Sequence, residues 1–344
     1  MRFDILMPSI LFVVTLVAMF LNKRVEAKLK ATVEDREFGS RDVALLVVII
    51  AVSVSVIVFV PQMAIMAVFL FSYSSLLFTV SYVFSDMHAR RTALFCGGFV
   101  VASVLAGIIG FFGVFPSDLR VYGVVAFAAL ALSSFAVLMY TRLRAGAKPR
   151  WYIAALPPAL FLLLFGFFNS TPVWYPFLLD AYGVMFAILI VLYLGTLFTW
   201  KTVFIFAGFL TALDIVLVWF TGTMVTAAEH VSGLGLPVLV AFPTIPYITA
   251  DGSILLMRLG LGDFFFAGIL STQTLKKFGK KAAVLSILTM CVSFGLFELL
   301  LLNPTEFNAL PATLPIVLGW LPIVAWKLVS QRKTKTATTE LGKN

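Results

Sequence analysis

Long apolar runs constrain the fold of this chain more than any other feature. A helix needs about 20 mainly apolar residues to cross a bilayer. The 344-residue sequence contains eleven such runs. Only 12% of its residues are charged, whereas about a quarter are charged in soluble domains. The sequence therefore predicts an all-α, polytopic transmembrane helix bundle and excludes a soluble domain. The runs are 5–21, 43–60, 63–84, 92–115, 121–141, 151–168, 177–199, 201–220, 253–275, 282–302 and 312–329.

Two boundaries between these runs are weak. The second and third runs meet at Pro61-Gln62, and the seventh and eighth meet at Trp200-Lys201. The bundle is therefore predicted to have about 9–11 spanning helices. Eleven crossings, or nine if both boundaries are miscounted, would leave the two chain ends on opposite sides of the membrane.

The distribution of Lys and Arg predicts the orientation. Of the 25 basic residues, 22 lie on one side of the bundle, Arg2 and Arg120 lie on the other, and Arg258 lies inside a run. Because basic loops stay in the cytoplasm, the N-terminus is expected outside, the C-terminus inside, and the loop 221–252 outside. The basic residues follow this membrane pattern, so the net charge of +9 does not indicate a nucleic-acid partner.

Four acidic residues fall inside the apolar runs: Asp180, Asp214, Asp263 and Glu298. A carboxylate in the bilayer costs roughly 2.5–3.5 kcal/mol on insertion scales, so each is a candidate for function. Asp180 and Glu298 lie within four residues of the outer ends of their runs, which favours an interfacial or helix-bonded role. Asp214 and Asp263 lie deeper, on consecutive antiparallel segments, and are expected at similar depth.

Two carboxyl groups that share a proton can act as one acid and one base, as in aspartic proteases. Buried acids serve proton- or cation-coupled transporters equally well. Serine–histidine and zinc–histidine chemistry within the membrane are disfavoured, because the two histidines, His88 and His230, both lie in loops.

The sequence around both aspartates resembles a known family. Gly260-Leu261-Gly262-Asp263 follows a basic residue, Arg258, and the other aspartate stands in Ala212-Leu213-Asp214 one run earlier. This pattern resembles the Gly-x-Gly-Asp intramembrane aspartyl proteases of the presenilin and signal peptide peptidase family, here as a prokaryotic presenilin-like homologue. The family usually has Tyr where this chain has Leu213.

A third family motif, Pro-Ala-Leu, opens the last helix. Ala309-Leu310-Pro311 matches it with Asn308 in place of the first Pro, and Ala312-Thr313-Leu314 matches it with two changes. The first alignment is preferred. The resemblance covers about residues 200–329, and the family typically has nine crossings with its aspartates on the sixth and seventh.

The resemblance implies an aspartic endopeptidase that cleaves transmembrane helices or remnant signal peptides, with Asp214 and Asp263 as the catalytic dyad. Gly260, Leu261 and Gly262 are then the active-site motif, and Ala309, Leu310 and Pro311 shape the site. No metal or organic cofactor is implied. The expected partners are transmembrane peptide or protein substrates and the lipid bilayer. A prokaryotic cell membrane is the expected location.

On this interpretation the chain has three parts. Residues 1–200 are N-terminal transmembrane helices of unassigned role, 201–330 are the catalytic transmembrane core, and 331–344 are a disordered cytoplasmic tail.

Within the outer loop, the apolar segment Leu236–Pro243 is β-prone and is a candidate strand for pairing with an extended substrate. A transporter or channel with a buried acid pair and a prepilin-peptidase-like protease are the alternative functions.

Overall fold

The computed structural model is a bundle of long apolar helices. It describes the chain in six ranges, and ten helical stretches within them are long and apolar enough to cross a membrane. The all-α polytopic architecture is thus confirmed, and the chain is a multi-pass membrane protein. The described ranges are 2–32, 37–115, 117–143, 150–250, 253–303 and 309–341.

The elements follow one another along the chain with short connections. The helices are α1 Leu6–Thr32, α2 Ser40–Ile57, α3 Gln62–Val83, α4 Ala89–Ile109, α5 Ser117–Leu143, α6 Trp151–Ala154, α7 Leu156–Phe168, α8 Leu179–Leu194, α9 Trp200–Ile215, α10 Thr223–Ser232, α11 Leu261–Phe278, α12 Lys280–Leu302 and α13 Thr313–Leu341. Wide π-helical turns occupy Gly110–Val114, Trp174–Leu178 and Val216–Phe220. The strands are β1 Leu239–Pro243, β2 Thr249–Ala250, β3 Ser253–Ile254 and β4 Leu256–Gly260.

Both weak boundaries are breaks between separate helices. Helix α2 ends at Ile57, and α3 begins after Pro61, whose ring fixes a backbone angle suited to a helix start. Helix α9 begins after Thr199, whose hydroxyl accepts a hydrogen bond from the Thr202 N–H at 3.3 Å. Side-chain capping of this kind satisfies backbone donors that a helix start leaves free.

Helix α11 lies at the centre of the bundle. Every residue from Phe264 to Thr274 is buried, and the helix packs against α1, α8, α9, α12 and α13. Its polar side chains bond inside the protein: Gln273 Nε2 donates to the Phe198 carbonyl at 2.6 Å, and Trp320 Nε1 donates to the Thr274 hydroxyl at 2.8 Å. The 18 residues of α11 span about 27 Å, so it is long enough to be an eleventh crossing.

The N-terminal helices share this core. Helix α1 packs against α8, α11 and α12, and α2 packs against α9. Helices α4 and α5 pack chiefly against each other and against α7. Residues before position 200 therefore directly support the helices that carry the two aspartates.

Two segments differ from the sequence-based expectation. The run 253–275 was expected to be helical throughout, but residues Ser253–Ile254 and Leu256–Gly260 are strands, and the helix begins at Leu261. Alternating burial in β4 and the poor helix propensity of glycine explain the change. Where a disordered tail was expected from residue 331, α13 continues to Leu341, through a stretch without Gly or Pro.

Candidate active site

Asp214 lies at the end of α9, one residue before the helix gives way to a wide turn. The turn Val216–Phe220 is π-helical and closes with the Thr221 N–H donating to the Val216 carbonyl at 3.0 Å. Single π turns inside helices are frequent at functional sites. The Asp214 side chain is half-buried.

The start of α13 holds the Asp214 carboxylate. Thr313, the first residue of α13, donates from its backbone N–H at 3.2 Å and from its hydroxyl at 2.7 Å, both to Oδ2 of Asp214. Helix N-termini favour bound anions because their N–H groups lack internal partners. Thr313 is buried and was not among the predicted site residues, although the second alignment of the Pro-Ala-Leu motif contains it.

Asp263 is the third residue of α11 and is also half-buried. Its carboxylate accepts a hydrogen bond from the backbone of Gly260, the residue that precedes the helix. This bond is one half of a capping box, in which a third-position carboxylate reaches back to the N-cap N–H. Each aspartate is thus held by a backbone N–H at the start of a helix.

The glycine motif lies at a strand-to-helix junction and not deep in a helix. A Cβ at Gly260 would sit 3.2 Å from Asp263 Oδ2, so glycine leaves room for the carboxylate. Leu261 is buried, and its N–H donates to the Val238 carbonyl at 3.1 Å. Gly262 is exposed, and a Cβ there would meet no atom within 4 Å.

The structure brings the two predicted catalytic residues together. Helices α9 and α11 are in contact, and the carboxyl groups of Asp214 and Asp263 are close enough to interact electrostatically. Neither forms an ion pair with Lys, Arg or His in the part of the chain that the structure describes. Two carboxyl groups this near to each other repel when both are ionised.

The predicted site-shaping segment lies beside the turn that follows Asp214. Trp219 Nε1 donates to the Ala309 carbonyl at 3.3 Å, and the carbonyl of the buried Pro311 accepts from the Leu314 N–H at 3.2 Å. Leu310 is half-buried between them. Asn308 lies outside the described residues.

An antiparallel strand pair leads into Asp263. Strands β1 and β4 pair with Leu239 opposite Gly260 and Ala241 opposite Arg258. The bonds from Leu261 to Val238 and from Thr244 to Leu255 mark the hydrogen-bonded positions. Because such positions alternate along an antiparallel pair, the N–H groups of Ala241, Arg258 and Gly260 point away from the partner strand.

The outer edge of β1 is already occupied. Asp180 from the first turn of α8 accepts a hydrogen bond from the Ala241 N–H at 2.9 Å. The Asp180 side chain is only 5% exposed, so it lies inside the protein and does not contact the membrane interface. Its carboxylate fixes the strand pair to α8, a role that the sequence did not reveal.

Glu298 on α12 is buried as well, at 4% exposed. Its neighbour is Asp4, with which it interacts electrostatically. Asp4 caps α1 by accepting from the N–H groups of Leu6 and Met7 at 3.0 Å. It also accepts from the Ile245 N–H at 2.8 Å, which ties the start of the chain to the segment after β1.

No protein-family model matches the sequence, and no curated protein matches it.

Proposed function

We propose that this protein is an intramembrane aspartyl protease that resembles the presenilin and signal peptide peptidase family. The observation that carries the proposal is the pairing of Asp214 and Asp263 on adjacent helices. Each carboxylate accepts from a backbone N–H at a helix start, and this supports a role for both groups in one site near the strand pair.

The chemistry follows from two carboxyls with one proton. The ionised carboxylate takes a proton from a water molecule, and the water oxygen attacks the carbonyl carbon of the scissile peptide bond. The protonated carboxyl gives its proton to the carbonyl oxygen, forming a neutral gem-diol. The carboxyl that took the proton from water then gives it to the amide nitrogen, the other carboxylate takes a proton from one hydroxyl of the gem-diol, and the C–N bond breaks. The products are a carboxylic acid and an amine, and the pair again holds one proton.

The strand pair gives a helical substrate a place to become extended. A peptide can add to an open strand edge through backbone hydrogen bonds. Asp180 occupies the outer N–H of β1 at Ala241, so the β1 edge suggested by the sequence is blocked at its centre. On β4 the outer N–H of Arg258 carries no such bond among the described residues, so this edge, which leads to Gly260 and Asp263, is the better site for the substrate strand.

The orientation follows from the basic residues. With 22 of 25 Lys and Arg on one side, the positive-inside rule places the segment that carries α10 and the strands outside a prokaryotic cell membrane and the C-terminus in the cytoplasm. The resemblance to the signal peptide peptidase branch then favours substrates whose N-terminus is cytoplasmic, such as remnant signal peptides.

The test is cleavage of a single-helix reporter by the purified protein in vesicles. We expect Asp214→Asn and Asp263→Asn each to lower kcat by at least about 100-fold, the scale of one general acid or base. Asp118→Asn is the matched control, because Asp118 is an exposed acid at the start of α5. Undiminished cleavage by either dyad variant would reject the proposal, as would proton-coupled transport without cleavage by the wild type.

A further inference from the structure

A cavity lies against one face of the strand pair. It has a volume of about 570 Å³, within the range of about 300–1,000 Å³ that is usual for ligand pockets. Leu239, Ala241 and Arg258 line it from the strands, and Trp174, Tyr175 and Leu179 line it from the turn before α8 and its first residue. Because side chains alternate between the two faces of a strand, the paired Ala241 and Arg258 lie on this face.

The opposite face of the strand pair is part of the core. Val240, Met257 and Leu259, which alternate with the cavity residues, are all buried. Val240 also packs closely on α8, since a Cβ at Gly183 would lie 3.0 Å from its methyl carbon. The sheet therefore has one closed face and one face open to a ligand.

Arg258 is the one charged residue among those that line the cavity. Its side chain is exposed, and it makes no ion pair with any residue in the ranges that the structure describes. The other lining groups are mostly apolar. A cation without a neighbouring acidic partner attracts anions, and a guanidinium matches the planar geometry of a carboxylate.

The cavity lies close to the aspartate pair. Arg258 and Gly260 are two residues apart on β4, a distance of about 6.6 Å along a strand. Gly260 contacts the Asp263 carboxylate. A peptide that pairs with β4 therefore passes Arg258 within two residues of the position opposite Gly260.

We propose, resting on the proteolytic function above, that Arg258 and this cavity form a specificity subsite for an acidic side chain of the substrate. The acidic residue lies on the side of the scissile bond that pairs with the part of β4 before Gly260. Opposite charges on neighbouring strands stabilise pairing, so an Asp or Glu there favours the productive register, and a Lys opposes it.

The test uses reporters that differ in one residue. Asp, Asn or Lys is placed in turn at each of four successive positions on that side of the cleavage site, and kcat/KM is measured in phosphatidylcholine vesicles. At one position we expect the wild type to prefer Asp over Lys by about tenfold or more, the scale of a close charge pair. We expect Arg258→Glu to reverse this preference and Arg258→Lys to retain its direction. Each comparison uses the ratio of kcat/KM for the Asp reporter to kcat/KM for the Lys reporter. This ratio does not depend on the fraction of the variant that is folded, because that fraction affects both values equally.

Equal Asp-to-Lys ratios in the wild type and Arg258→Glu would overturn the subsite. A second outcome would also overturn it. If the wild type shows no charge preference, and if adding phosphatidylglycerol lowers its KM but not that of Arg258→Glu, the cavity holds a lipid headgroup. Fluorescence anisotropy measures the binding of the same reporters to the Asp263→Asn variant. This measurement separates the proposed protease from the proposed anion subsite. A charge preference in binding without cleavage of any reporter by the wild type would reject the protease and keep the anion site.

Discussion

Thr313 donates two hydrogen bonds to one oxygen of Asp214, although 99 residues separate them in the chain. The contact joins the start of α13 to the end of α9. It fixes the orientation of one aspartate through a residue that has no acid–base chemistry of its own. We therefore expect the proposed activity to depend on the position of α13.

Replacing Thr313 with Val removes the hydroxyl bond while keeping the shape of the side chain. A hydrogen bond to a charged group contributes about 1.5–3 kcal/mol, and we expect kcat for the reporter to fall by about tenfold or more. Thr313→Ser should restore most of the rate and the pH profile of the wild type.

Thr289→Val is the control for Thr313, because the Thr289 hydroxyl bonds only within its own helix α12. A Thr313→Val protein with the rate and pH profile of Thr289→Val would show that the bond does not orient Asp214.

Replacing Asp180 tests the link between α8 and the strands. Asp180→Leu leaves the N–H of Ala241 buried and unpaired, since Ala241 is 1% exposed. We expect a loss of about 1–3 kcal/mol in the free energy of unfolding and a broader set of cleavage positions, measured by mass spectrometry of the products. Asp180→Asn keeps an acceptor oxygen and should cleave where the wild type does. A single unchanged cleavage position in Asp180→Leu would contradict this role.

Adding one carbon at Gly260 tests the space beside Asp263. The new Cβ would lie 3.2 Å from Oδ2, so the carboxylate must move, and we expect Gly260→Ala to lower kcat by about tenfold with little change in melting temperature. Gly208→Ala on α9 is the control, because a Cβ there meets nothing within 4 Å. Equal activity of the two variants would mean that the carboxylate tolerates the shift.

The close approach of α8 and α11 predicts a compensating pair. A Cβ at Gly268 would lie 2.6 Å from a methyl carbon of Val191. Overpacking of this kind costs about 1–3 kcal/mol, so Gly268→Ala should lower the midpoint of unfolding in mild detergent. Adding Val191→Ala should recover part of the loss. If the double variant loses as much stability as Gly268→Ala and Val191→Ala lose together when made separately, the two residues are not in direct contact.

The bundle could be predicted because crossing a bilayer is a matter of length and composition. The eight residues before Leu261 could not, because a short apolar run fits either a strand or a helix. For Leu256–Gly260 what decides between them is pairing with Leu239–Pro243, a contact between separate parts of the chain. Thr313 and the buried state of Asp180 were missed for the same reason, since each depends on a partner far away in sequence.

The position of Asp263 illustrates the same limit. The motif Gly260-Leu261-Gly262 marks the site, but only the folded chain shows that the aspartate begins a helix and accepts from Gly260. The pair with Asp214 was predicted from two apolar segments in succession. The spacing of residues did not predict that the start of α13 would hold Asp214 or that the start of α11 would hold Asp263.

The complete burial of α11 from Phe264 to Thr274 has a consequence for how the protein is made. Near the end of the helix the Gln273 amide donates to the Phe198 carbonyl outside it, and in lipid alone this amide would face hydrocarbon without a partner. We therefore expect this helix to be stable in the bilayer only together with its neighbours, so that the site that it carries is completed when the last helices pack against it.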